Sequence, residues 1–302
     1  VTRALPVVAG LLVDRAVGEP PAAVPHPVAL FGRSMGAVER RMYAPRRAAG
    51  AGYALAGLAL GVGAGRAVRS TAVATYVAVA GRGLAEAAEA VRDPLVAGDL
   101  DEARRRLPAL AGRDPSRLDA SEVARAVVES VAENTVDAVV APALWGALLG
   151  APGALGYRAV NTMDAMVGHR SPRYERFGTA AARLDDAAGW LPARATALLV
   201  VAARPRAAGA VWRAVRRDAP AHPSPNAGVA EAAFAAALDR RLGGTNDYDG
   251  RVESRAPLGD GRPVEVADID RAVRLSRDVT LALAAALVGL AGARAWSQGR
   301  ST

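Results

Sequence analysis

The chain has 302 residues, 51% of them hydrophobic but only 4% aromatic, and it contains no cysteine. Disulfides, thiolate nucleophiles and Cys-type zinc sites are thereby excluded, and abundant alanine with few β-branched or aromatic runs points to an all-α fold. The formal charge is +8 and all 38 basic residues are arginine, a usage that reflects base composition more than function; the scattered aromatics form no stacking platform for single-stranded nucleic acid.

In chain order, the N-terminal VTRALPVVAGLLVDR has a short apolar run without a small-residue cleavage site, so no removable signal peptide is expected. A proline-dense loop, Gly18–Arg33, enters a helix running through Glu39–Arg41. Ala48–Gly65 is uncharged over 18 residues between Arg46–Arg47 and Arg66, at the lower edge of a membrane-spanning length. Ser70–Gly81 is uncharged again and can continue helically to near Ala90, so the two runs read as a hairpin crossing out and back. Ala138–Tyr157 is a third such run, interrupted by Pro142 and Pro152. A bilayer tolerates such breaks only where protein or a wet cavity re-satisfies the backbone. Shorter apolar pieces follow near Ala195–Ala203 and Val279–Ala293. Arginine is dense on both flanks of the hairpin, which the positive-inside rule places in the cytoplasm. The expectation is a multi-pass membrane helix bundle with cytoplasmic helices, a single domain over 1–302. The competing picture is a soluble protein with Ala- and Gly-rich core helices.

Between Arg82 and Leu118 lies a polar, Arg-rich helical region broken at Pro94, Pro108 and Pro115. A helix then starts at LDASEV: Asp119 is the N-cap, Glu122 completes a capping box, and Leu118 with Val123 forms a hydrophobic staple. It runs to Pro142. On it Glu129, Glu133 and Asp137 step about 40° apart over about 12 Å and form one stripe, with Asn134 and Ser130 beside it. After the third apolar run come NTMDAMVGH, an arginine group and ARLDDAAGWLP. The basic span Arg204–Arg217 then leads to HPSPNAG at His222–Gly228. The Gly- and Asp-rich segment near 243–265 reads as an irregular ordered loop or a small non-helical excursion, whose Asn246 joins Asn134 and Asn161 as substrate-binding candidates, and the final helices start near Asp268.

Carboxylates beside arginines suit a divalent cation bridging phosphates, because magnesium takes one or two carboxylates together with substrate oxygens. Glu133 and Asp137 are the metal candidates, with Glu129 above them. Arg170, Arg173, Arg176 and Arg183 are the candidates for phosphate oxygens. The plainer alternative is a solvated helix face with ion pairs such as Arg125–Glu129. Asn161, Asp164 and His169 form a polar cluster just after an apolar run, where unpaired burial is costly. His222, Ser224 and Asn226 either donate to substrate or cap the helix that begins near Val229. No lysine exists for a P-loop, so any ATP is held otherwise.

The run from Glu129 to Leu199, ESVAENTVDAVVAP through WLPARATALL, resembles the CobD/CbiB family of cobalamin biosynthesis. So do LLVDRAVGEPP and PHPVALFGR near the N-terminus, GRDPSRLD at Gly112–Asp119, and RDAPAHPSPNAG with RLGGTNDYDG later. The likeness runs nearly end to end. One departure follows PSPNAG, where members commonly show Trp-Pro and this chain has Val229–Ala230. The resemblance implies an integral membrane adenosylcobinamide-phosphate synthase of the cell (inner or plasma) membrane with a cytoplasm-facing site. Its reaction is ATP- and magnesium-dependent amide formation between a propionate carboxylate of adenosylcobyric acid and (R)-1-aminopropan-2-ol or its O-phosphate. The corrinoid cobalt belongs to the substrate, and other enzymes of the pathway are candidate partners. Such a reaction needs a base for the amine, for which His169, Glu129 and Asp164 are candidates. Two other readings stay open: a non-catalytic corrinoid carrier or scaffold, and a magnesium-dependent membrane prenyl- or alcohol-phosphotransferase.

Overall fold

The computed structural model describes residues 3–19, 26–169, 171–248 and 251–299. It is helical apart from one antiparallel hairpin. The α-helices are α1 (Ala4–Val17), α2 (Pro27–Met42), α3 (Arg47–Val68), α4 (Thr71–Ala78), α5 (Gly81–Val96), α6 (Leu100–Arg106) and α7 (Ala120–Thr135). A π-helical turn, Val136–Val140, joins α7 to α8 (Ala141–Leu149). Then come α9 (Ala151–Val167), α10 (Thr179–Ala203), α11 (Ala208–Arg217), α12 (Ala227–Leu238), strands β1 (Leu242–Tyr248) and β2 (Arg251–Leu258), and α13 (Asp268–Gly299). The chain divides into two compact units, one of Val1–Ala80, Asp137–Pro192 and Leu283–Thr302, the other of Gly81–Val136 and Ala193–Ala282.

In the first unit α3 packs against α9 along a stripe of glycines. A Cβ at Gly57 would lie 2.1 Å from Met163 Sδ, one at Gly61 2.5 Å from Ala159 Cβ, and one at Gly65 2.5 Å from Pro152 Cα. Only glycine every fourth residue lets the two backbones approach this closely. Beside the seam, Met35, Tyr53, Met163 and Phe177 make a fully enclosed core, with the Tyr53 and Phe177 rings 5.2 Å apart. Among the described residues two helices, α3 and the Asp268–Ser297 part of α13, are long and apolar enough to cross a membrane. Leu55 on α3 and Leu290 on α13 stay 65% and 59% exposed, apolar surface that the first unit does not bury within itself.

The other two runs expected to cross are divided in the structure. The run from Ser70 towards Ala90 is not one helix: α4 ends at Ala78, and α5, an amphipathic helix, belongs to the second unit. Pro142 supplies the physical reason. It has no N–H to give to the carbonyl four residues back, that of Ala138. The Ala80 N–H donates to the Ala138 carbonyl instead, at 2.9 Å, which holds the chain extended at Val79–Ala80. The third run is likewise divided, into the π-turn, α8 and α9, with Gly150 at φ 75° between the last two. At the C-terminal end the expected several helices are one helix of 32 residues.

The second unit opens α7 with the expected capping box: the Glu122 N–H donates to Asp119 Oδ1 and the Asp119 N–H to Glu122 Oε2, both at 2.9 Å. Val123, Val127 and Val131 are completely buried on its inner face, as is Phe234 on α12. The segment near 243–265 is the small non-helical excursion rather than an irregular loop, since it contains the β1–β2 hairpin, with a register shift between Leu242 and Gly244. Gly243 and Gly244 take φ of 82° and 100°, a conformation that only glycine adopts without strain.

Candidate functional site

Each unit gathers its own buried charges. In the first, the π-turn carries Asp137, and turns of this kind recur at functional sites. The Tyr157 hydroxyl donates to Asp137 Oδ1 at 3.2 Å, and the Asn161 side-chain amide donates to Asp137 Oδ2 at 3.3 Å. That same amide nitrogen reaches Asp185 Oδ1, on α10, at 3.5 Å, while Asn161 Oδ1 accepts from Arg158 Nη1 at 3.4 Å. One Asn161 amide therefore stands between two carboxylates on one side and a guanidinium on the other. Burial, then the negative charges of Asp137 and Asp164, push the Asp185 carboxyl up to about 8. Asp164 lies over the end of α9, where a Cβ at Gly168 would come within 1.8 Å of its Oδ1.

This donor set fits a magnesium ion. Asp137 and Asp185 offer carboxylate oxygens to the same amide, Asp164 and Asp186 add further negative charge, and Arg158 is the nearby cation. Among the described residues no three His, Cys, Asp or Glu side chains group as a metal cage. A two-carboxylate site completed by substrate oxygens is the arrangement magnesium prefers.

In the second unit Glu129 is 2% exposed and fully engaged. It accepts from Arg113 Nη2 at 2.6 Å, Arg125 Nη1 at 3.0 Å and the Gly243 N–H at 2.8 Å. Burial alone would raise its pKa, but Arg113 and Arg125 outweigh that and hold it below the usual carboxylate range. Glu133 keeps an exposed surface while protein atoms crowd its carboxyl group. Burial there raises its pKa against the pull of Arg255 and Arg113. Asn134 donates to the Ser130 carbonyl and hydroxyl at 3.0 and 3.1 Å, back along its own helix.

Of the two alternatives for the HPSPNAG segment, the structure shows the helix cap. Ser224 Oγ accepts from the N–H groups of Asn226 and Ala227 and caps α12. Asn226 is buried, its Oδ1 accepting from Arg194 Nη1 at 3.1 Å. His222 turns inward: Ser224 N–H donates to its Nδ1 at 3.1 Å, and its Nε2 stands 3.5 Å from Glu231 Oε1 and 3.4 Å from Arg255 Nη1. A Cβ at Gly228 would lie 2.5 Å from His222 Cβ, so glycine is what allows α12 to close on this ring. Burial lowers the His222 pKa, and burial followed by Glu129 and Glu133 raises that of Glu231 well above the usual range. Val229 and Ala230, at the departure from the family pattern, are buried.

The remaining candidates lie elsewhere. His169 is exposed, edge-on to Tyr174 with centroids 5.0 Å apart. Arg173 is committed to Glu39 at 3.0 Å and lies over the Tyr43 ring at 4.1 Å. Arg176 and Arg183 are exposed, Arg170 lies outside the described residues, and Asn246 sits in β1 opposite Glu253. The sequence reading missed Tyr157, Arg158 and Asp185 in the first unit and Arg113, Glu231 and Arg255 in the second. Its one-stripe picture also needs correction, because Glu129 faces a buried arginine pair in the second unit, whereas Asp137 shares the Asn161 amide with Asp185 in the first.

Comparison with known proteins bears on what such a site does. The family model described as CobD/Cbib protein matches residues 7–276. A protein of Mycobacterium tuberculosis named Cobalamin biosynthesis protein CobD is 51% identical over 291 residues, covering 92% of each chain. Proteins of the same name from Chromobacterium violaceum and Klebsiella pneumoniae are 45% and 41% identical, covering 88% and 95% of this chain and 89% and 96% of their own. No solved structure matches.

Proposed function

This chain belongs to the CobD/CbiB family of cobalamin biosynthesis, and on that premise we propose that it is an acid–amine ligase. It joins (R)-1-aminopropan-2-ol or its O-phosphate to a propionate carboxylate of adenosylcobyric acid at the expense of ATP. It works at the cell membrane with α3 and α13 as crossings and its site open to the cytoplasm, where other enzymes of the pathway can dock. What supports the reading is the Asn161 amide set between the carboxylates of Asp137 and Asp185.

A carboxylate is a poor acyl donor until an oxygen of it takes the γ-phosphoryl group of ATP and ADP departs. The amine nitrogen then bonds to the acyl carbon, phosphate leaves, and the nitrogen gives up a proton. Asp137 and Asp185 would hold magnesium, which when bound offsets the charge of the phosphoryl group. The chain's own residues prepare that position. Tyr157 fixes one oxygen of Asp137, and Asn161 orients the other towards Asp185. Asp164 is the proton acceptor this unit offers. Glu129 is unsuited, because three donors already hold its lone pairs.

The test is an assay of the detergent-purified protein with adenosylcobyric acid, magnesium-ATP and aminopropanol phosphate, with mass spectrometry of the product. Amide that requires ATP, and that is lost in Asp137→Asn and Asp185→Asn, supports the ligase. Intact corrinoid binding without product in the unaltered protein points to the carrier. A phosphoester product in place of an amide points to the phosphotransferase, for which the neighbouring Asp185 and Asp186 supply a second acidic motif.

A further inference from the structure

Arg158 has no role in the reaction as written, and its setting calls for one. It projects from α9 between Tyr157 and Asn161, the two residues that hold Asp137. Its guanidinium spends one N–H on Asn161 Oδ1, at 3.4 Å, long for such a bond. Its Nε is shielded from solvent and has no hydrogen-bond partner among the described residues. A shielded donor on a charged group left unmade is costly, and a native structure keeps one where something else completes it.

The surroundings specify that missing group. A guanidinium offers a planar fork of donors that matches oxyanions and cannot act as an acceptor or lose its charge. A cation arriving alone at Asp137 and Asp185 would be repelled by Arg158. An anion arriving alone would be repelled by the two carboxylates. A phosphoryl group that shares its oxygens between the cation and the guanidinium satisfies both. We infer that Arg158 is a phosphoryl-binding residue, its unpartnered Nε–H directed to an oxygen of a phosphate that also meets the cation at Asp137 and Asp185. The inference rests on the reading above that those two carboxylates hold a cation. Two sources of the phosphate fit the chemistry, the nucleotide and the O-phosphate of aminopropanol, and the residue itself does not distinguish them. The merely structural alternative is that Arg158 offsets the charge of Asp137 and Glu19, its nearest acidic influences.

The experiment measures binding at equilibrium rather than turnover, on the full chain in detergent. Manganese serves as a spectroscopic probe of the cation site. A non-hydrolysable ATP analogue with magnesium, and aminopropanol phosphate with magnesium, are titrated separately. Arg158→Gln is expected to bind manganese at least as tightly as the unaltered protein, since the repelling charge is gone. It should lose about 10–100-fold in affinity for one of the two phosphate probes, the range of a charge-assisted bond. Arg158→Lys, which keeps the charge without the fork, should fall between and serves if the glutamine variant does not fold. The probe that weakens identifies the source of the phosphate. Unchanged affinity for both probes, with manganese still bound, overturns the assignment of Arg158 and leaves the cation reading standing. Manganese binding that does not depend on Asp137 and Asp185 overturns both. A lowered melting temperature with all affinities intact assigns Arg158 the structural role and overturns the inference.

Discussion

Glu129 and Asp185 are both carboxylates withdrawn from water, and their surroundings treat them in opposite ways. For each, burial acts first and raises the pKa. Around Glu129 two guanidiniums and a backbone N–H reverse that effect and keep the group ionised. Around Asp185 the neighbours are an amide and further carboxylates, and the acid is pushed up to about 8. The difference separates a buried charge that is fully partnered from one that is not. Both are buried acids near arginines in the sequence, and only the count of donors on each oxygen separates them.

The largest effect that can break this comparison is on Glu129. Its loss in Glu129→Gln leaves Arg113 and Arg125 facing each other without their common anion, Arg113 at 7% exposure. Removing one partner of such a buried pair costs about 3–5 kcal/mol, read as a shift of the denaturant midpoint at constant slope. Asp185→Asn is the counterpart. A carboxyl already held largely in its neutral form is replaced by a neutral side chain of the same shape, so stability should change by no more than about 1 kcal/mol, while cation affinity falls by at least about 10–100-fold. Were Asp185→Asn to unfold the chain and Glu129→Gln to leave it intact, the two groups would have been assigned the wrong way round.

Some of this was legible in the residues. The capping box at Asp119–Glu122 needs only local spacing, and it formed as the spacing dictates. The membrane runs were legible as composition but not as elements. Their division depends on the Ala80 N–H reaching the carbonyl that Pro142 frees, a contact between residues 58 apart. The hairpin was hidden by poor strand formers, although Asp249–Gly250 between Tyr248 and Arg251 is a strong two-residue turn signal in sequence terms. Glu231 carried a signal too: it is the one acid in the otherwise apolar α12, and such acids are rarely buried without a partner or a purpose, whereas Asp185 does not stand out beside Arg183 and Asp186. No spacing rule pairs Asp137 with Asp185, since the residues between them fold as two helices and a turn before α10 brings the second acid back. The acidic stripe misled because a helix wheel assumes a regular helix, and the π-turn begins one residue before Asp137.

Glu231 sharpens the comparison with a smaller effect, because it lies in the same unit as Glu129 yet is partnered like Asp185. It is 1% exposed, its Oε2 has no hydrogen-bond partner among the described residues, and His222 stands 3.5 Å from the other oxygen. Glu129, Glu133, Arg255 and Arg113 complete its charged surroundings, and burial is the leading cause of its raised pKa. The folded chain therefore keeps a proton on Glu231 where the unfolded chain, with an ordinary pKa of 4.5, has lost it. Stability from this group is full below that value and declines as pH rises towards the raised pKa. His222 works in the other direction: its lowered pKa keeps it neutral in the fold, so its contribution is full above the ordinary 6.5 and is lost as pH falls. Denaturant unfolding measured from about pH 5 to about pH 8 should accordingly show a weaker alkaline decline in Glu231→Gln and a weaker acid decline in His222→Gln. The two changes should not add, since the side chains touch. An alkaline limb identical in Glu231→Gln and the unaltered chain would mean that Glu231 is ionised and satisfied in the fold. The second unit would then hold two carboxylates of the Glu129 kind, and the under-partnered acid would be a property of the first unit alone.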